Sequence, residues 1–434
     1  MKRFLQNKIA DKRVVILGYG REGASTYKLL RNYFPAMHLT IADKNETIRE
    51  VFKQTTEPVT LVTGDDYLQQ LMDFDVIIKS PGISLKDYPQ VYTSNKITSQ
   101  TDLFLQCYFA QTIGVTGTKG KSTTTSLIYH ILKTAGRKAI LCGNIGVPFF
   151  DIIPDITPET TIVAELSSHQ LEFIERAPAI AVLLNLFQEH LDHYNSLADY
   201  HLAKVNIFKK QVTDHFIYHA DDAMIVHYLT ENPIKSIAHQ FSLKPLFAKP
   251  IETNLKGEHN LLNIHAAAIA AMLRGVSADD CLHAISSFTA LPHRMEYVGE
   301  YKGIHFYNDS IATIPEAAIQ SVTALKVVDT LILGGFDRGI DYSPLVDFVT
   351  QSELKNLIFL GAAGMRICDA IVAKNIFLGK VIHVSTIAEA VRKAYELTRV
   401  GRICLLSPAA ASYDQFKNFE ERGDVYKKEI RSIG

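Results

Sequence analysis

The 434 residues predict an α/β protein made of three successive doubly wound units. Short β-branched runs alternate with amphipathic helical stretches along the whole chain, and the alternation restarts near residues 97 and 290. Glycine-rich turns follow the first strand in the first and second series. The expected domains are therefore 1–97, 98–290 and 291–434, the last boundary lying where a proline interrupts the pattern at Leu291–Arg294 (LPHR).

In the first series, Arg13–Leu17 (RVVIL), Leu39–Ala42 (LTIA) and Val76–Lys79 (VIIK) read as strands, and Glu22–Asn32 reads as the crossover helix between the first two. The second opens with the strand of TIGVTGT at Thr112 and a helix from Lys121, followed by strands in Thr161–Leu166 (TIVAEL) and Ile180–Asn185 (IAVLLN). The third holds Thr330–Gly335 (TLILGG), Asn356–Gly361 (NLIFLG), Lys380–Val384 (KVIHV) and Arg402–Ser407 (RICLLS).

A formal net charge of −1 gives no basic footprint for nucleic acid. No apolar run approaches the roughly 20 residues of a membrane-spanning helix, and the polar start MKRFLQNKIADKR lacks the apolar core of a secretory signal. Five scattered cysteines without a CxxC pair fit a reduced, cytoplasmic enzyme. Small-molecule substrates and a monomer are the expectation.

Thr116–Thr123 reads TGTKGKST between a strand and a helix, the setting a phosphate loop requires. Backbone N–H groups at such a turn cradle anionic oxygens. Gly117, Thr118, Lys119 and Gly120 form the turn, Lys121 meets the β/γ-phosphates, and the Ser122 and Thr123 hydroxyls are candidates for Mg²⁺ and phosphate. Val115 stands where the usual spacing has a glycine, so the loop is shorter than the standard pattern. A glycine turn capping a helix is the plain alternative.

Gly18, Gly20 and Gly23 (GYGREG) follow the first strand, and Asp43 ends the second, which matches a dinucleotide fingerprint. An NAD-dependent oxidoreductase is therefore a rival reading, although a dehydrogenase needs no ATP loop. The UDP of an activated sugar can use the same helix N-terminus, and a ligand-free βα turn is the bland alternative.

Residues just past the C-terminal ends of parallel strands face the ligand crevice. On that ground Glu165 (in ELSSHQLE) and His190 (in NLFQEHLDHY) are candidate Mg²⁺ ligands. His169, Glu189, Asp192 and His193 have the ordinary reading of polar loop residues, and Lys204 that of a solvated helix charge.

Together, TGTKGKST, GNIG (Gly143–Gly146), ELSSHQLE, EHLDHY, HNLLN (His259–Asn263), LPHR, NDS (Asn308–Ser310) and LLSPAAASYDQFKNFEERG (Leu405–Gly423) resemble the Mur ligase family in kind and order. The last stretch resembles its MurD branch, and the likeness covers almost the whole chain. It implies a Rossmann-like N-terminal domain for UDP-N-acetylmuramoyl-L-alanine, a central P-loop ATPase domain for ATP and Mg²⁺, and a Rossmann-like C-terminal domain for glutamate.

By resemblance, Gly18, Gly20, Asp43, Ser80, Gly82, Asn144, Ser167, Ser168, Gln170 and His190 lie along the UDP substrate. Asn260, Asn263, Arg294 and Asp309 join the phosphate loop around ATP; Thr313, Arg338, Ser412 and Phe419 hold glutamate. Ser122, Glu165, His190 and Lys204 match metal-site positions, with Lys204 carried as a carbamate. Lys121, Glu165, His190, Lys204 and Arg294 are the expected catalytic set. The implied reaction is ATP-dependent ligation through an acyl phosphate in peptidoglycan precursor synthesis.

Two places depart from the MurD pattern. Ile311 stands where a lysine follows Asp-Ser, and Phe336-Asp337-Arg338-Gly339 replaces a lysine near the glutamate α-carboxylate. Arg338 can substitute through a bidentate guanidinium. D-glutamate is the first expectation; an L-glutamate-adding branch is the alternative.

Overall fold

The computed structural model describes residues 1–145, 147–187, 193–212, 214–289, 292–337, 339–374 and 377–434. The chain falls into two compact units. The first comprises Met1–Glu252 and His259–Ser287; the second comprises Thr253–Glu258 and Phe288–Gly434.

The first unit holds two sheets. One contains β1 (Val14–Leu17), β2 (Leu39–Asp43), β3 (Val59–Thr63), β4 (Val76–Lys79) and β5 (Ile97–Thr98), all parallel, in the order β3-β2-β1-β4-β5. All four β1 residues are buried, which is why the strand reads as a continuous apolar run. The following helix, Arg21–Tyr33, buries Gly23, Tyr27, Leu29 and Leu30, at helical spacing.

The other sheet contains β6 (Thr112–Thr116), β7 (Ala139–Gly143), β8 (Thr161–Glu165), β9 (Ile180–Leu183), β10 (His215–His219) and β11 (Ile237–Phe241). Its order is β11-β10-β9-β6-β8-β7, again all parallel. β6 lies between β9 and β8, so the turn after it opens beside the ends of both neighbours, the crevice position of an open α/β sheet.

The second unit holds β12 (Glu296–Tyr301), β13 (Ile304–Asn308), β14 (Val328–Gly334), β15 (Asn356–Leu360), β16 (Lys380–Val384) and β17 (Ile403–Leu406), in the order β12-β13-β17-β14-β15-β16. β12 runs antiparallel to β13, so this sheet is mixed. No helix among the described residues is long and apolar enough to cross a membrane.

Candidate functional site

Gly120 takes φ +84° and opens the helix Lys121–Thr134. A Cβ there would come within 2.4 Å of Asn263 Oδ1, so only glycine lets the turn close against the helix Glu258–Met272. Asn263 is fixed in turn by donating to Asn260 Oδ1 at 3.1 Å. Of the two expected nucleotide asparagines, Asn263 thus lies against this turn and Asn260 behind it.

The loop is tied to the end of β9. Thr118 N–H donates to Asn185 O at 3.0 Å, and Lys119 N–H to Asn185 Oδ1 at 2.8 Å. Asn185 Nδ2 returns a bond to Lys119 O at 3.1 Å. Tyr200 donates its hydroxyl proton to Thr118 Oγ1 at 3.2 Å. Asn185 and Tyr200 were visible in the sequence only as members of polar stretches; a reciprocal side-chain–backbone clamp has no periodic signature.

Two ammonium groups meet at one carbonyl. Lys121 Nζ donates to Gly117 O at 3.0 Å and to Thr118 O at 2.9 Å, and Lys204 Nζ donates to Gly117 O at 3.0 Å. Lys204 is 1% exposed on the helix Leu197–Lys209, with Nζ 4.8 Å from the centroid of the Tyr200 ring. It is not the solvated helix charge of the ordinary reading.

β8 pairs in register with β6, Glu165 opposite Val115, which carries the carboxylate to the edge of the loop. Glu165 is 1% exposed; its Oε1 accepts from Asn144 Nδ2 at 2.6 Å, and its Oε2 has no hydrogen-bond partner among the described residues. A buried carboxylate oxygen left without a donor is costly unless a cation completes it. With the Ser122 and Thr123 hydroxyls at the helix start, these are hard oxygen donors of the kind Mg²⁺ takes. The described residues contain no group of three or more His, Cys, Asp or Glu set to hold a metal. His190, Glu189 and Asp192 lie outside the described residues.

After β8, Ser167 caps the short helix Ser168–Leu171 in a capping box with Gln170. Gln170 is buried and donates to Glu22 Oε1 at 2.7 Å, while Ser168 is buried. Nearby, Lys79 Nζ lies 3.4 Å from Glu172 Oε2, both side chains almost fully buried. Burial lowers the Lys79 pKa despite Glu172. For Glu172, burial acts upward but contact with His193 and the Lys79 charge outweigh it, leaving the carboxyl low. The His193 ring packs against that of His169 with centroids 3.9 Å apart and planes tilted by 38°. Lys79, Glu172 and Glu22 escaped sequence reasoning, which gave a strand lysine no reason to be buried.

At the first glycine turn, Tyr19 N–H donates to Asp43 Oδ2 at 2.6 Å and Asn45 N–H to Asp43 Oδ1 at 2.7 Å. Ser80 Oγ donates to Gly18 O at 2.9 Å. A Cβ on Gly23 would sit 1.9 Å from Gly18 O, the close helix–turn approach that the third glycine permits. Gly20 caps the helix, and an added Cβ at Gly82 would meet nothing within 4 Å. Asp43 and Ser80 therefore shape this turn, whatever it binds.

The remaining expected residues lie in the second unit. Asp309 is 3% exposed and accepts from Ser321 Oγ at 2.6 Å, Ser407 Oγ at 2.8 Å and Met295 N–H at 3.1 Å. Burial raises its pKa to about 6, although those donors and the Arg294 charge act downward. Asp309 thus anchors the segment that carries Arg294. Ser310 Oγ donates to Phe419 O at 2.8 Å, and Ser412 is buried and accepts at its carbonyl from Phe416 N–H at 2.9 Å. Thr313 lies two residues before the helix Pro315–Leu325. Arg338 is outside the described residues.

Sequence and fold comparisons agree with this geometry. The profile described as "Mur ligase middle domain" matches residues 115–246, and "Mur ligase, glutamate ligase domain" matches 293–410. A protein of Clostridium kluyveri named UDP-N-acetylmuramoylalanine--D-glutamate ligase is 34% identical over 89% of this chain and 90% of its own length. A protein of the same name from Caldanaerobacter subterraneus subsp. tengcongensis is 32% identical over 98% and 99%. Among solved structures, the MurF ligase of Thermotoga maritima in complex with ADP superposes with a TM-score of 0.60, at 16% identity over 92% of this chain and 96% of that one. The MurC of the same organism gives 0.58, at 17% identity over 98% and 100%. The structural likenesses speak for the fold alone. The near full-length identities, with a phosphate loop set beside a buried carboxylate, place this chain as an enzyme of the Mur ligase family.

Proposed function

We propose that this enzyme joins the amine of glutamate to the L-alanyl carboxylate of UDP-N-acetylmuramoyl-L-alanine, with ATP converted to ADP and phosphate, in the cytoplasm. The observation that carries the reading is the convergence of Lys121 and Lys204 on the Gly117 carbonyl, at the N-terminus of a 14-residue helix. The Lys121 charge and a helix N-terminus at one turn favour a polyphosphate. The names of the full-length relatives supply the substrates.

The chemistry follows from the carboxylate. It cannot be attacked usefully by an amine, because oxide would have to leave. Transfer of the γ-phosphoryl group gives an acyl phosphate; the glutamate amine attacks its carbonyl carbon, and inorganic phosphate departs with the bonding pair. Lys121 neutralises charge on the transferring group, and Arg294 joins it by resemblance. Glu165 and the Ser122 and Thr123 hydroxyls would hold Mg²⁺, with Lys204 as a carbamate in support; the ion would supply charge neutralisation at the phosphates. His190 joins this set by resemblance.

We assign domains 1–97, 98–290 and 291–434 to the UDP substrate, ATP and glutamate. In the last, Thr313, Arg338, Ser412 and the backbone at Phe419 receive the two carboxylates. D-glutamate is the enantiomer assigned, following the relatives' names. The L-glutamate reading rests on Ile311, which offers no charge where the MurD pattern has a lysine, and on Arg338. Hydride transfer with NAD is not favoured: both Asp43 oxygens are engaged by backbone N–H groups, and the chain is a ligase-family member. The test is ADP release that requires the UDP precursor and glutamate together.

A further inference from the structure

Arg422 is a buried cation with no carboxylate in direct contact; the one acidic charge acting on it, Asp414, lies beyond ion-pair distance. It is 2% exposed on the helix Phe419–Ile433, and among the described residues no Asp or Glu lies within ion-pair distance of it. Its donors go to neutral acceptors: Nε to Ser310 Oγ at 2.9 Å, Nη2 to Ser310 O at 2.8 Å and Ala410 O at 3.1 Å, and Nη1 to Ala411 O at 3.1 Å. A third loop closes on the same group. Phe336 N–H donates to Ala411 O at 2.9 Å, and a Cβ on Gly335 would fall 3.0 Å from Arg422 Nη1 and 2.2 Å from Ala411 O. Burial lowers the Arg422 pKa to about 10, so the group stays charged at neutral pH.

Burying a charge this deeply is expensive unless something compensates for it. Four neutral acceptors satisfy the N–H groups, and the Asp414 charge offsets the burial only in part. The loops it joins carry Thr313 beyond Ser310 and Ser412 beyond Ala411, the positions read above as glutamate contacts. A dianionic amino acid settling on these loops would supply the missing negative charge.

We propose that Arg422 is the positioning residue of the amino-acid pocket: its planar fork locks the Ser310 and Ala410–Ala411 loops together, and its charge selects a substrate with two carboxylates. It acts through the loops and the field, without touching the substrate. The inference rests on the glutamate reading of these loops.

The experiment measures steady-state kinetics of Arg422→Met, Arg422→Lys and Ser310→Ala in the full-length enzyme, beside thermal melts. Arg422→Met is expected to raise the glutamate KM about tenfold or more, with the ATP and UDP-precursor KM values within about twofold. It also narrows the preference for glutamate over its side-chain amide, glutamine. Arg422→Lys keeps the charge and loses the fork, so it raises KM less and retains that preference. Ser310→Ala removes one Arg422 acceptor together with the bond from Ser310 Oγ to Phe419 O and serves if Arg422→Met does not fold; it raises the glutamate KM alone by a few fold. A folded Arg422 variant with an unchanged glutamate KM, or equal losses for all three substrates, overturns the proposal. Wild-type enzyme with no glutamate-dependent ADP release would instead overturn the functional reading on which it rests.

Discussion

The Lys204 ammonium donates at 3.0 Å to the Gly117 carbonyl, the same oxygen that Lys121 Nζ reaches at 3.0 Å. One lysine comes from the phosphate loop and the other from a helix more than 80 residues later.

Removing Lys121 should therefore hit the chemistry first. Lys121→Ala is expected to lower kcat by roughly 10²–10³-fold or more, with the melting temperature little changed, since the side chain is only part-buried and donates to the Gly117 and Thr118 carbonyls of its own loop. ADP release by the folded variant checks it; near-normal release removes the phosphate-loop assignment.

Lys204 separates two roles. If it works as a carbamate, stripping CO₂ from the buffer lowers activity, and a short carboxylic acid partly restores Lys204→Ala. If it works only as the ammonium that holds Gly117 O, neither treatment has an effect. Turnover measured with and without bicarbonate distinguishes them.

The Lys79–Glu172 pair predicts a stability effect. Glu172→Gln leaves a buried ammonium without its partner and is expected to cost about 3–5 kcal/mol, whereas Lys79→Met with Glu172→Leu should lie close to wild type. The folded Glu172 pKa is depressed, so its contribution is complete above the ordinary glutamate value of about 4.3 and is lost as pH falls through the lower folded value. Denaturant melts of the single and double variants at pH 7 and below pH 4 check both statements.

Asp309 has the opposite sign. Its pKa rises from 3.8 to about 6 on folding, so the native state holds a proton that the unfolded state has lost. Stability then falls as pH rises between those values, by an amount on the order of 3 kcal/mol. Asp309→Asn, which cannot titrate, should lose that slope. Unfolding free energies from pH 4 to pH 7 measure it; an identical slope in the variant rejects the burial argument.

Much of the fold was legible because fully buried parallel strands are continuous apolar runs. Val76–Lys79, three of whose four residues are buried, matches its expected bounds, as does Lys380–Val384 from its β-branched run although only Val384 is buried, and the helix expected over Glu22–Asn32 runs from Arg21 to Tyr33. β3, with no fully buried residue, and β11, with only Phe241 buried, left no such run. The antiparallel β12 escaped because it is an edge strand whose residues are all exposed or half-buried. The turn that opens the helix Lys121–Thr134 was readable from glycine spacing, since Gly120 answers a local steric need. Arg422, Asn185 and Lys79 were not, because their partners lie far off in sequence and burial of a charge leaves no mark in a one-dimensional pattern.

The most direct test of the central claim is ADP release by the purified enzyme given ATP, Mg²⁺ and UDP-N-acetylmuramoyl-L-alanine, with D-glutamate or L-glutamate in parallel. Opposite enantiomers can place both carboxylates on the same anchors only by moving the amine, which must approach the acyl phosphate to about 3–3.5 Å. The account predicts release that depends on the UDP precursor and on one enantiomer, D-glutamate, with the other slower by a large factor. Preference for L-glutamate would transfer the assignment to the reading suggested by Ile311 and Arg338. Equal turnover of both enantiomers would contradict the pocket argument, and no precursor-dependent release with either would contradict the ligase account itself.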